Sequence, residues 1–488
     1  MNKPIRMIAL FCLALFLMLL VNVTWLQVFK AGELADSPHN QRVIADTFSR
    51  ERGAIMVGRR PVAESVPADD QYKFQREYPF PRLYAHLTGR FNYFGQTQLE
   101  KTQNDLLAGQ DSRLFVNRVI DLLSNKSPKG GAVQLTVNHA AQKAAFDGLS
   151  ALPGDVKGAV VAIEPASGKI LASVSLPTYD VNQLASHRFG EVIAAQEKLE
   201  ADKSQPLINR AMGMRLPPGS VFKLVTAAAA MESEGYNADS RVPGGNSYRL
   251  PGTSGPGGLI TNEGRDCGGN RVSFRQAMEN SCNTTFSALA VEVGAEEMLE
   301  RAERFGFNQT YLEDIPQATS VFPEGMGSAQ TGQSGIGQFE VASTPLQMAM
   351  VAAGIANGGQ VMKPYLVDEL RTPSLAVLDK TDPEQFSQAV SASTARELTD
   401  LLVSTVDNGT ARPAAIPGVK VAGKTGTAQS GVDDVPPYAW FVSFAPADNP
   451  EVAVAVMIQS ADIPRGEVAG GRLGGPIAKA VMEAVISR

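Results

Sequence analysis

Ser220-Val221-Phe222-Lys223 sets a hydroxyl and an amine three residues apart, and Ser281-Cys282-Asn283 and Lys424-Thr425-Gly426-Thr427 follow it in that order. Residues 221–234 are alanine-rich with helical spacing, and Pro217-Pro218-Gly219 cannot continue a helix, so the pattern predicts that Ser220 stands at a helix N-terminus. Lys223 then shares a face with Ser220, with about 5–6 Å between their Cβ atoms. A serine hydroxyl is a weak nucleophile and needs an unprotonated base. Lysine can serve only if its pKa falls from about 10.4 to near 7, a change of about 4–5 kcal/mol that burial and a nearby cation can supply. The helix N-terminus pushes the same way, and Lys424 is the candidate second cation. Such a serine acylation site needs no histidine.

Residues 273–280 have helical character with Ser273 as a possible N-cap, and helical spacing resumes over 286–299, which places Ser281 at a break between helices. A hydroxyl there would relay a proton between Lys223 and a leaving amine, while the Asn283 amide would pair with a peptide group of the substrate. Val419-Lys420-Val421 alternates as a strand leading into Lys424, and Gly426 would let a substrate approach the backbone closely. The cation and the hydroxyls of Thr425 and Thr427 suit a carboxylate. Each string alone also fits a bland role, a helix cap for the first two and an exposed edge strand for the third. Their order and flanks carry the chemical reading.

Two enzymatic rivals fail on context. Gly418-Val419-Lys420-Val421-Ala422-Gly423-Lys424-Thr425 matches the phosphate-loop pattern G-x-x-x-x-G-K-T, yet no apolar strand precedes its first glycine and turn formers, not a helix, follow the lysine. A Ser-His-Asp triad would need one of His39, His86, His139 or His187, all of which precede Ser220, with none near a serine in a nucleophile-elbow context. These four read as surface or packing residues.

The 488 residues carry 44 Lys plus Arg against 50 Asp plus Glu, a net charge of -6, and no basic run that could track a phosphate backbone, so nucleic acid is not the expected partner. Behind Lys3 and Arg6, an apolar stretch over residues 7–29 is long enough at about 1.5 Å per residue to cross a hydrocarbon core of about 30 Å. It is longer than the usual apolar region of a cleaved leader, and no small-x-small site closes it. We read residues 1–6 as a cytoplasmic tail, 7–29 as a single transmembrane signal anchor in the cell membrane, and the rest as extracytoplasmic. Cys12 falls in the anchor. Cys267 and Cys282 are either free thiols or a bridge bracing the Ser281 loop, in a compartment where disulfides persist. Residues 30–125 form a small polar module with a helix predicted around 98–107, and turn formers over 124–131 mark a linker. Beyond it, strands are expected at 132–137 and 158–163, the second opening a hairpin through residues 164–168, and again at 440–444 and 452–458. Helices are expected at 140–149 and from 476 to 486. Strands at both ends with helices between predict an α+β domain whose sheet is assembled from distant segments.

Strings of the types S-x-x-K, S-D-N and K-T-G occur together in penicillin-binding proteins and active-site serine β-lactamases, and this chain has Cys282 in the middle of the second. Asn209-Arg210, Pro217-Pro218-Gly219-Ser220, Gly335-Ile336-Gly337-Gln338 with Thr344-Pro345-Leu346-Gln347, Asn408-Gly409-Thr410-Ala411 and Ala439-Trp440-Phe441 extend the likeness. Residues 131–488 resemble the transpeptidase domain of a class B penicillin-binding protein, with an antiparallel sheet and packed helices. Residues 30–125 resemble its pedestal or dimerisation module, and the short module resembles the actinobacterial PbpA-like type. Arg52-Gly53-Ala54-Ile55 matches the module's opening motif, but Met56-Val57-Gly58-Arg59 stands where Asp-Arg-Asn-Gly is usual. The resemblance implies a peptidoglycan D,D-transpeptidase that cross-links D-Ala-D-Ala stem peptides through a Ser220 acyl-enzyme and is inhibited by β-lactams, with no metal or cofactor. Lys223 would be the base, Ser281 the relay, Asn283 a partner of substrate and lysine, and Lys424, Thr425 and Thr427 the carboxylate clamp. The Ser220 and Thr427 amides would form the oxyanion hole. A SEDS-type glycosyltransferase is the implied partner. A D,D-carboxypeptidase and a non-catalytic, β-lactam-acylated sensor are the alternatives.

Overall fold

The computed structural model describes residues 2–31, 48–124, 129–432 and 435–487; His39 and part of the 124–131 linker lie outside them. Among the described residues one helix, Asn2–Val28, is long and apolar enough to cross a membrane, and its apolar side chains face outward instead of into a core.

The main sheet has five antiparallel strands in the order Ala422–Ala428, Tyr438–Ala445, Val452–Ser460, Lys157–Ile163 and Ile170–Leu176. The last two form the expected hairpin, closed where Gly168, at φ 85°, donates its amide to Glu164 O at 2.9 Å. Strands from both ends of the 131–488 region thus meet at the centre. The central strands Val452–Ser460 and Lys157–Ile163 are mostly apolar because both faces are covered. On one side Val160, Ala162, Val454 and Val456 pack with the helices His139–Ser150 and Gly470–Ile486; on the other, Ala159, Val161, Ala453 and Ala455 pack with the helix Pro345–Ala356. Asn138 caps the first of these helices by accepting from Ala140 N at 2.9 Å, and Thr344 caps the last by accepting from Gln347 N at 3.1 Å.

Three expected elements differ. The closing helix starts at Gly470, not 476, and carries Pro476 inside it. Its glycines allow contact that a side chain would block: a Cβ at Gly470 would lie 1.9 Å from Trp440 O, and one at Gly474 2.6 Å from Phe441 Cβ. The helix expected over 286–299 is two, Asn283–Val293 and Ala295–Arg304, broken at Gly294 with φ 86°. Residues 98–107 form two short helices, Gln98–Thr102 and Asn104–Leu107.

A second sheet joins the two regions. Its six strands run Val377–Lys380, Val367–Arg371, Ala132–Leu135, Ile55–Val57, Arg60–Pro67 and Phe74–Glu77, with Ile55–Val57 parallel to Ala132–Leu135. Hydrogen bonds therefore cross the linker that separates residues 30–125 from 131–488. The unusual Gly58-Arg59 makes the hairpin turn between two of these strands, with Gly58 at φ 59°. Arg52 donates to Glu100 Oε2 at 2.6 Å, and Arg76 and Tyr78 donate to Glu100 Oε1 at 2.7 and 3.0 Å, all buried. Burial alone would raise the Glu100 pKa, but Arg76 and then Arg52 outweigh it and hold the carboxyl below its usual value.

Candidate active site

Ser220 sits in a 3-10 turn, Gly219–Val221, that leads into the helix Lys223–Glu234, so its amide belongs to the first turn, where no intrahelical carbonyl is available. The turn is clamped on two sides. Gly219, at φ 55°, donates its amide to Gly337 O at 3.0 Å, and a Cβ on Gly337 would lie 2.2 Å from Gly219 O. Thr226, one turn along, donates to Gly335 O at 2.6 Å. On the other side a Cβ at Gly219 would come within 2.8 Å of Thr427 O. Gly426 completes this contact, since a Cβ there would lie 3.0 Å from Val221 Cγ1 and 3.1 Å from Pro218 O. The missing side chain of Gly426 thus admits the serine turn, a packing reason for the glycine beside the expected approach of substrate.

Lys424-Thr425-Gly426-Thr427 lies within the strand Ala422–Ala428, not after a strand at 419–421. That strand is the sheet's edge, yet Lys424 is fully buried because its side chain turns inward. A strand instead of a helix after the lysine also removes the phosphate-loop geometry. Thr425 Oγ1 meets Thr410 Oγ1 at 2.8 Å, and Thr410 N donates to Glu279 O at 3.3 Å, which explains Asn408-Gly409-Thr410-Ala411 as the support of this strand.

Ser281 closes the third side. It occupies the break between the helices Phe274–Glu279 and Asn283–Val293 with φ 54°, a left-handed conformation that a serine rarely adopts. Its hydroxyl and its carbonyl organise both lysines. Lys223 Nζ donates to Ser281 O at 2.8 Å, Ser281 Oγ at 3.2 Å and Asn283 Oδ1 at 2.7 Å, and Lys424 Nζ donates to Ser281 Oγ at 2.7 Å and Thr425 O at 2.9 Å. A hydroxyl has two acceptor sites and one proton, so with both lone pairs facing lysines the Ser281 proton is left for a further partner.

Burial drives the Lys223 pKa well below its ordinary value, and the charges of Lys424 and Arg265 push it further. Burial, then Arg265, does the same to Lys424. Cys267 and Cys282 form a disulfide, which settles the open alternative and ties the loop before Cys267 to this corner. The described histidines are engaged elsewhere: His86 with Pro206 O at 2.8 Å, His139 with Tyr84 OH at 2.7 Å, and His187 with Asp70 Oδ2 at 2.6 Å. Among the described residues no cluster of His, Cys, Asp or Glu could hold a metal ion.

The penicillin binding protein transpeptidase domain family matches residues 158–483, and the penicillin binding protein A dimerisation domain family matches residues 52–133. The chain is a penicillin-binding protein of the transpeptidase family. This penicillin-binding protein is 41% identical over 493 residues to the peptidoglycan D,D-transpeptidase PbpA of Mycolicibacterium smegmatis, covering 100% of this chain and 99% of the relative. The PbpA of Mycobacterium tuberculosis is likewise 41% identical, over 501 residues. The ceftriaxone acyl-enzyme complex of penicillin-binding protein A from M. tuberculosis matches with a TM-score of 0.85 and 40% identity, covering 91% of this chain and 100% of that one. Its penicillin G acyl-enzyme matches with a TM-score of 0.84.

The structure brings Lys223, Ser281, Asn283 and Lys424 into one hydrogen-bonded cluster and sets Ser220 against the strand of Thr425, Gly426 and Thr427. Sequence reading missed Arg265 and Glu263, which no motif flags. Their signal is the nearby Cys267, whose bridge to Cys282 returns the loop to the Ser281 string.

Proposed function

We propose that this penicillin-binding protein is a membrane-anchored peptidoglycan D,D-transpeptidase. The observation that carries the reading is the pair of buried lysines sharing the Ser281 hydroxyl beside a serine at a helix start. Ser220 Oγ attacks the carbonyl of the penultimate D-Ala, its proton passing to Lys223; the C–N bond to the terminal D-Ala breaks, and that amine leaves with a proton relayed through Ser281. An amine of a second stem peptide then attacks the ester carbonyl, forming the cross-linking amide and returning the proton to Ser220.

For the first step Lys223 Nζ must be neutral and exchange one of its hydrogen bonds to Ser281 or Asn283 for one to Ser220 Oγ, a tightening that substrate binding drives. Asn283 pairs with the donor peptide, and Lys424, Thr425 and Thr427 hold its terminal carboxylate. The amides of Ser220 and Thr427, brought together by Gly219 and Gly426, stabilise the oxyanion. Residues 7–29 act as the anchor with 1–6 cytoplasmic, 30–125 as the pedestal, and 131–488 as the extracytoplasmic catalytic domain. Glycan synthesis comes from a separate SEDS-type glycosyltransferase.

Fluorescent penicillin labelling of the detergent-solubilised chain tests the reading. Wild type is expected to label covalently and Ser220→Ala not at all; equal labelling of the two sinks the mechanism. A D-Ala-D-Ala donor with and without an amine acceptor then separates transfer from hydrolysis, and labelling without any turnover of peptide marks a sensor.

A further inference from the structure

Residues 261–267 are sewn to residues 280–284 at four points. Asn283 Nδ2 donates to Thr261 O at 3.0 Å, Thr284 N to Asn262 Oδ1 at 3.0 Å, and Asn280 Nδ2 to Asp266 O at 2.7 Å, and Cys267 is bridged to Cys282. Asn262 is buried and anchors the loop further through Gly245 O at 2.8 Å. Arg265 is held between these ties, so its position relative to Asn283 is built into the fold and does not belong to a free surface loop.

The Arg265 side chain is 28% exposed. Its Nε donates to Asn262 O at 2.8 Å and one Nη to Glu263 Oε2 at 3.2 Å, while Nη1 carries no hydrogen bond among the described residues. Glu263 is 58% exposed, so the pair is a loose one that an incoming anion can displace. A half-buried guanidinium with an open donor edge is suited to a planar carboxylate, which it can bind through two parallel N–H bonds. The terminal carboxylate of the donor is already assigned to the strand of Lys424, Thr425 and Thr427, whereas Arg265 lies on the Asn283 side.

We propose that Arg265 is a binding subsite for a second carboxylate on the donor stem peptide, a free acidic group on the residue preceding the D-Ala-D-Ala pair. The inference rests on the transpeptidase reading. It makes the enzyme selective for donors whose preceding residue is acidic over those in which that group is amidated. A lost charge-assisted hydrogen bond of this kind corresponds to about 10-fold to 100-fold in affinity.

Two donor peptides identical except for carboxylate or carboxamide at that position test it, with Ser220 acylation read by protection from fluorescent penicillin on the full chain. Wild type is expected to favour the carboxylate donor by about 10-fold or more. Arg265→Gln is expected to lose that preference and Arg265→Lys to recover part of it, with melting temperatures close to wild type reporting that both variants are folded; the preference is a ratio of two donors on one variant, so a common change in rate through the lysines cancels from it. A preference that survives Arg265→Gln, or no preference in wild type, overturns the subsite while leaving the transpeptidase reading in place. Equal slowing of both donors together with a shifted pH profile also overturns it, since Arg265 would then act only through the lysines. Wild type that takes penicillin but neither peptide sinks the transpeptidase reading and the subsite with it.

Discussion

Lys223 and Lys424 aim their amines at one hydroxyl: Ser281 Oγ lies 3.2 Å from the first Nζ and 2.7 Å from the second. Two ammonium groups this close in a dry site disfavour each other's charge, so their titrations belong to the pair. The arrangement gives one of them a route to neutrality without any histidine.

Lys424→Met removes the positive neighbour that helps burial depress the Lys223 pKa. The Lys223 pKa then climbs, and the acid limb of the penicillin acylation rate moves to higher pH. Rates measured from pH 5 to 10 check this; a limb that stays put would mean that burial alone tunes Lys223. Stability carries the same sign. Between the depressed folded pKa and the ordinary value of 10.5, the unfolded chain binds more protons, so the contribution of Lys223 to stability rises with pH across that window. The slope is at most about 1.4 kcal/mol per pH unit. The melting temperature of wild type relative to Lys223→Met should therefore increase from pH 7 to pH 9.5.

Ser281 is held at φ 54°. Glycine tolerates this region and alanine does not, at a difference of about 1 kcal/mol, which reverses the usual order of the two residues in folded chains. Ser281→Gly is expected to melt higher than Ser281→Ala, with turnover of peptide donors lowered about 10²-fold to 10⁴-fold in both. Denaturant titration and a D-Ala release assay measure the two effects; a less stable glycine variant would argue against strain at this position.

The Cys267–Cys282 bridge spans 15 residues, for which loop closure contributes about 3 kcal/mol. Replacing both by serine should lower stability by that order and slow Ser220 acylation, because the bridge ends one residue from Asn283. Alkylation of the unreduced, denatured chain should label Cys12 alone. Three labelled thiols would contradict the bridge.

Burial lowers the His86 pKa from 6.5 to about 4, outweighing the hydrogen bond to Pro206 O. The histidine is neutral when folded, so its contribution is complete above pH 6.5 and is lost as pH falls toward about 4. That loss approaches about 3 kcal/mol. His86→Gln keeps a donor for Pro206 O and cannot be protonated in this range, so its melting temperature should fall less between pH 7 and pH 4.5 than that of wild type.

The three strings that the fold gathers and the strands at both ends of the domain were legible because they depend on local spacing and apolar runs. Glycine misled where its cause lay across space. Gly470, Gly471, Gly474 and Gly475 with Pro476 look like helix breakers, yet they lie in a helix that packs closely on its neighbours, Gly470 and Gly474 against the sheet, Gly471 against Thr410 O and Gly475 against Pro413. At Gly426 the sequence offered only the approach of substrate, and the space that the serine turn takes there was invisible. Lys424 was expected as the second cation beside Lys223, but its full burial on an edge strand was not legible, because Ser281, which accepts from it, comes from a distant segment. Arg265 and Glu100 were silent in sequence because their settings are assembled across space, the first by a disulfide and the second by Arg52, ahead of the strand Ile55–Val57, and Arg76, within Phe74–Glu77.

The sheet that crosses the linker gives the small module a second office. Ala132–Leu135 is buried at every residue and is flanked by Ile55–Val57 on one edge and Val367–Arg371 on the other. A catalytic half cut free at residue 131 would present a bare, apolar strand edge, the kind of template on which copies of a chain add to one another. The module therefore keeps that edge paired for as long as the chain remains whole.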